Sequence, residues 1–130
     1  MNLLKKSLVT LGLLGAFTVS ATAAHAATIY FEVKGTVISY DNDAKKWRST
    51  ANTKGSTGTK YSRTYTEIWA DGVKKDYKNS GKVTGASSNA SAYAAIGFGY
   101  YEAPSAHRIW WSSDDADSVF DESRDYFKSN

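Results

Sequence analysis

The chain has 130 residues, with 16 Lys and Arg against 13 Asp and Glu, and no cysteine. That length suits one domain with a modest core. A chain without thiols has no disulfide framework, no thiolate zinc site and no cysteine nucleophile, and its nearly balanced charge gives no footing for a nucleic-acid partner.

Lys5 and Lys6 precede an apolar run from Leu8 to Val19, then small residues ending Ala24-His25-Ala26. This is the layout of a secretory signal: a basic start, an apolar stretch too short for a stable span, and small residues that fit a signal-peptidase pocket. The expected organisation is a signal peptide over 1–26 and a single secreted domain over 27–130. No second long apolar stretch follows, so no transmembrane segment is expected after signal removal, and without cysteine there is no lipid-acceptor residue. From Glu32 to Lys82 there are 11 basic and 6 acidic residues, whereas Ser112 to Asn130 holds 6 acids and only Arg124 and Lys128. A basic body with an acidic tail suits polyanion binding, or simply two solvated faces.

Beyond the signal, apolar residues tend to recur at every second position, the period of half-buried strands. Ile29, Phe31, Val33 and Val37 would share one face of a first strand, with Gly35 marking a bulge. Asp41-Asn42-Asp43 reads as a turn, and Trp47 to about Thr53 as a second strand. From Thr59 to Ala70, Tyr61, Arg63, Tyr65, Glu67 and Trp69 alternate with Ser62, Thr64, Thr66 and Ile68. Asp71-Gly72 then favours a tight hairpin, because both central residues of a type I′ turn need positive φ. Asn79-Ser80-Gly81 is another turn, and Ala86 to Tyr100 reads as a long strand or bent pair. Pro104 is expected to break the ladder before a strand from about Ser105 to Ser112.

In the tail, Asp117 or Ser118 would cap a short helix whose stripe holds Val119, Phe120, Ser123, Tyr126 and Phe127. The expected fold is all-β: a small antiparallel β-sandwich or barrel of about 6 to 8 strands with a short C-terminal helix.

His107 is the one histidine beyond the signal, and no nucleophile elbow or paired-histidine motif surrounds it. Glu32, Glu67 and Glu102 lie on expected strands and would serve a glycosidase only if pairing brought two together. Asp114-Asp115-Ala116-Asp117 is rich in hard oxygen ligands but lacks the glycine and spacing of a calcium loop, so no metal and no cofactor is assigned. The aromatic content, four Trp, nine Tyr and five Phe, is the better functional lead. A face carrying Tyr61, Arg63, Tyr65 and Trp69 would stack on sugars, enter a lipid interface or anchor a protein, unless it is the inner face of the sheet. Adjacent strand residues point to opposite faces, so Trp110 and Trp111 cannot share one core. Tyr77, Tyr93 and Tyr101 also fall on otherwise polar stretches.

In size, export signal and a strand region rich in glycine and tyrosine, the chain resembles the small secreted β-rich proteins of Gram-positive bacteria, including a lactococcin type of bacteriocin. No motif matches residue by residue, so no site is carried over. The expected function is a secreted, non-enzymatic interaction protein with antibacterial character. It would bind a cell-wall polymer, lipid surface or protein target through Tyr61, Arg63, Tyr65, Trp69, Trp110 and Trp111. The alternatives are a small extracellular hydrolase using acids or His107, and a secreted protease inhibitor.

Overall fold

A computed structural model describes residues 29–129; the expected signal peptide and its cleavage point lie outside them. Eight strands follow in order: β1 (Phe31–Asp41), β2 (Lys46–Gly55), β3 (Tyr61–Ala70), β4 (Val73–Asn79), β5 (Val83–Thr84), β6 (Ser87–Ala94), β7 (Tyr100–Trp110) and β8 (Ser118–Lys128). They form two antiparallel sheets, β1-β2-β6 and β4-β3-β7-β8, with β5 also paired to β3. The sheets stack in a sandwich-like arrangement.

Local chemistry explains the turns. Asp41 Oδ1 accepts from the amides of Asp43 and Ala44, each at 2.9 Å, and this side-chain cap closes the β1–β2 hairpin. At the β3–β4 hairpin Asp71 has φ 49° and Gly72 φ 82°, the left-handed pair that Asp-Gly supplies. After β4, Asn79 Oδ1 accepts from the Gly81 amide at 2.8 Å.

The space between the sheets is divided. At one end Ile38, Ile68, Tyr101 and the alanines at 70, 92, 94 and 103 form an apolar cluster, with Trp47, Phe98 and Phe127 packed against it. Elsewhere the interior mixes hydroxyls with a few apolar residues, Ile29, Ala51, Ala90 and Ile109. Ser49 meets Thr66 across the sheets at 2.5 Å, and Thr66 meets Ser105 at 2.8 Å. A longer chain runs from Ser88 to Thr64 (2.8 Å), Thr53 (2.6 Å), His107 Nδ1 (2.7 Å), from His107 Nε2 to Ser123 (2.7 Å), and to Thr36 (2.5 Å). Each buried hydroxyl in these chains has a neighbour to donate to or accept from, which offsets the cost of removing it from water.

Side chains also close the flanks. Asp125 Oδ2 on β8 accepts from the Ile38 amide of β1 at 2.8 Å, and Asp76 Oδ2 on β4 accepts from the Tyr93 amide of β6 at 2.9 Å. On both sides, an aspartate of one sheet satisfies an edge amide of the other.

Several sequence expectations need correction. The C-terminal helix is absent among the described residues: Ser118–Lys128 is a strand paired along its whole length with β7. Eleven residues of cross-strand pairing outweigh a helical stripe whose polar positions include Asp121, Ser123 and Asp125, each of which finds a partner on β1 or in the core. Pro104 does not precede its strand but lies inside β7. The missing donor is accommodated by a gap in the β3–β7 ladder between Thr66↔Ser105 and Trp69↔Glu102. In β1 the irregularity falls between Phe31 and Val33 rather than at Gly35. It reverses the parity, leaving Val33 and Val37 exposed and Ile38 buried.

Candidate functional site

The outward parity of β3 presents Tyr61, Arg63, Tyr65, Glu67 and Trp69, while Ser62, Thr64, Thr66 and Ile68 are fully buried toward the other sheet. Small hydroxyls fit the gap between closely stacked sheets, and the bulky rings are directed away from it. The register of β3 on β7 brings Arg63 opposite Arg108, Tyr65 opposite Ala106 and Tyr61 opposite Trp110. Beyond β7, Ala106 faces Glu122 and Arg108 faces Phe120 on β8.

Pro104 and Ala106 are short residues on a central strand flanked by long ones. The result is a groove of about 420 Å³ floored by these two and walled by Tyr65 and Glu67 on one side and Glu122 and Arg124 on the other. It continues toward Trp110 through hollows of about 210 and 240 Å³, both lined by Arg63 and Arg108.

The rings on this face are fixed in place. Tyr65 Oη donates to Glu67 Oε2 at 2.5 Å, the Trp69 indole donates to Oε1 at 2.6 Å, and Lys74 lies 3.7 Å from Oε2. Burial opposes the Glu67 charge, but these donors outweigh it and the carboxyl pKa is lowered. Burial, with the hydrogen bond to Glu67 and its charge, pushes the Tyr65 phenol up to about 12. Tyr65 is therefore a neutral contact group and a poor nucleophile at neutral pH. Tyr77 stands beside it, ring centroids 6.0 Å apart, with 59% of its surface exposed.

Trp110 is on the same face yet only 2% exposed. Arg63, Arg108 and Lys82 lie over its ring at 5.5, 6.0 and 4.7 Å, and its indole donates to Asp115 Oδ1 at 3.1 Å. Burial first, then the charge of Arg63, lower the Arg108 pKa, while Asp115 opposes the shift.

Tyr61, Arg63, Tyr65, Trp69 and Trp110 thus share one face, with Trp110 covered by cations. Trp111 is half-buried just beyond the end of β7 and is not among the groove residues. Tyr101 belongs to the core, its hydroxyl donating to the Ala95 carbonyl at 2.8 Å. Sequence reasoning missed Arg108, Lys82, Glu122 and Phe120. The alternation Arg108-x-Trp110 was a usable signal for the first; the others depend on register and on a tail read as a helix.

The remaining candidates are engaged elsewhere. Glu32 pairs with Lys54 at 3.4 Å on the other sheet, and Glu102 pairs with Arg124. His107 is fully buried, with Nδ1 and Nε2 each 2.7 Å from a hydroxyl oxygen. Burial, offset in part by Asp121 and reinforced by Lys34, lowers its pKa to about 4. In the acidic tail, Asp115 pairs with Lys82 at 3.3 Å, Asp121 pairs with Lys34, and Asp117 accepts from Ser112 at 2.8 Å.

No protein-family model, curated protein or solved structure matches this chain. Among the described residues no helix is long and apolar enough to cross a membrane.

Proposed function

We propose that the protein is a secreted, non-enzymatic interaction protein that binds a cell-envelope component through the outer face of the β4-β3-β7-β8 sheet, with antibacterial action as its setting. The observation that supports this most directly is the register of β3 on β7, which puts Tyr61, Arg63, Tyr65, Trp69 and Trp110 on one face, with Tyr65 at the wall of an open groove. Half-exposed rings held by hydrogen bonds lose little conformational freedom when they stack on a partner. The adjoining guanidinium groups add attraction for an anionic envelope.

The test is retention of the purified protein on isolated cell wall, whole cells and lipid vesicles. Retention that falls as salt is raised, and again in Trp69→Ala, supports the proposal. Equal retention of wild type and Trp69→Ala, or none on any envelope material, overturns it.

A further inference from the structure

We infer that Arg63 and Arg108 form a binding site for a phosphate-class oxyanion, seated between their guanidinium groups beside Trp110. The inference deepens the proposed binding function and takes its biological setting from it, but its chemistry rests on separate observations.

The two arginines are direct cross-strand neighbours on the same face. Like charges so placed ordinarily destabilise a sheet, and a pair of this kind is usually relieved by a carboxylate between them. Among the described residues neither arginine has one: six ion pairs form, and none includes Arg63 or Arg108. The acid that lines the same hollow, Asp115, is committed to Lys82 at 3.3 Å and to the Trp110 indole at 3.1 Å. Three cations and one acid around a single ring leave a local excess of two positive charges.

The arginines are also positioned before any ligand arrives. Arg108 Nη1 donates to Ser118 Oγ at 2.8 Å, and its guanidinium carbon lies 5.0 Å from the Phe120 ring centroid. Arg63 is placed over Trp110 at 5.5 Å. Guanidinium groups held over rings in this way keep N–H donors for a ligand, and their planar fork matches two oxygens of a phosphate or sulfate. The hollows of about 210 and 240 Å³ that both arginines line provide the space. A neutral sugar would gain nothing from two opposed cations, whereas an oxyanion relieves their repulsion and gains charge-assisted hydrogen bonds.

The experiment compares thermal unfolding and calorimetric binding in phosphate and in chloride at matched ionic strength, for wild type, Arg63→Gln and Arg108→Gln. Phosphate should raise the wild-type Tm saturably, and each variant should bind it about tenfold more weakly or worse. Without phosphate, Arg63→Gln should be as stable as wild type or more so, because a like-charge contact is removed. That control keeps the test valid even if Arg108→Gln, which also loses its Ser118 contact, folds poorly. Phosphate acting no differently from chloride, or binding undiminished in Arg63→Gln, overturns the site.

Phosphatidylglycerol vesicles distinguish the source. Retention displaced by inorganic phosphate places the anion in a headgroup, whereas phosphate binding without vesicle retention points to a soluble or polymer-borne phosphate. Envelope retention that survives Arg63→Gln but is lost in Trp69→Ala overturns this site and leaves the binding function standing. Phosphate binding with no envelope retention does the reverse.

Discussion

The indole of Trp69 donates to Glu67 Oε1 at 2.6 Å from two residues along the same strand face, while the other carboxylate oxygen takes the Tyr65 hydroxyl at 2.5 Å. One carboxylate thus orients both rings through which the protein is proposed to bind. Glu67→Ala leaves two partly buried donors without an acceptor and should cost about 1–3 kcal/mol of stability. Glu67→Gln, which keeps one acceptor oxygen, should cost less. Urea unfolding of the three proteins checks the order, and envelope binding should fall in Glu67→Ala although no contacting ring has been removed.

The same contact sets an alkaline limit. A phenol whose pKa is raised on folding contributes stability that is complete below its unfolded pKa near 10 and is lost as pH climbs toward about 12. Spectrophotometric titration should show one tyrosine ionising near pH 12, and Tyr65→Phe should remove that step and flatten the fall in stability over this window. Loss of an earlier step instead would mean that Glu67 does not hold the proton on Tyr65.

The strand periodicity and three of the turns could be read from the sequence, because Asp41, Asp71-Gly72 and Asn79-Ser80-Gly81 carry their geometry in their own side chains and φ values. Which face of β3 points inward has no signal in the alternation itself. Hydrophobicity alone would bury the rings of Tyr61, Tyr65 and Trp69, yet Thr64 and Thr66 are inside because Ser49, Thr53, Ser88 and Ser105 supply their hydrogen bonds from other strands. Such reciprocity is a property of tertiary register and has no local signature. The tail misled for the same reason: the i, i+4 spacing of Val119, Ser123 and Phe127 is real, but Asp125 and Asp121 are drawn to Ile38 and Lys34 of β1, some 87 residues away. The groove was illegible because its floor is Pro104 and Ala106, two unremarkable residues that matter only between the longer residues of β3 and β8.

The flank closures predict local rather than global effects. Asp125→Ala removes the acceptor of the Ile38 amide, and Asp76→Ala that of the Tyr93 amide. Each should cost about 1–2 kcal/mol. Hydrogen exchange should accelerate at Ile38 in the first variant and at Tyr93 in the second, each leaving the other amide protected. Asp125→Asn, which retains a carbonyl oxygen, should restore most of the protection at Ile38. Equal loss at both amides would mean that the sandwich opens as a unit and that the aspartates do not act as separate closures.

His107 gives the interior an acid limit. Its folded pKa of about 4 lies below the ordinary value of 6.5, because burial disfavours the imidazolium and Lys34 adds to that effect against the opposing charge of Asp121. A depressed pKa means that the unfolded chain takes up the proton first. The contribution is therefore complete above about pH 6.5, declines as pH falls toward 4 and is exhausted below it; the gap corresponds to about 3 kcal/mol. Protonation turns the accepting ring nitrogen into a second donor, so Thr53 and Ser123 must both accept, and the hydroxyl chain on the formerly accepting side must reverse direction. Thr53→Val keeps the volume but leaves Nδ1 and the Thr64 hydroxyl short of a partner, and it should cost about 1–3 kcal/mol at neutral pH. His107→Gln should lose stability at pH 7 yet show a shallower decline between pH 6.5 and 4 than wild type. Unfolding midpoints across that range decide the matter: an equally steep decline in His107→Gln would assign the acid sensitivity to the carboxylates and not to the buried imidazole.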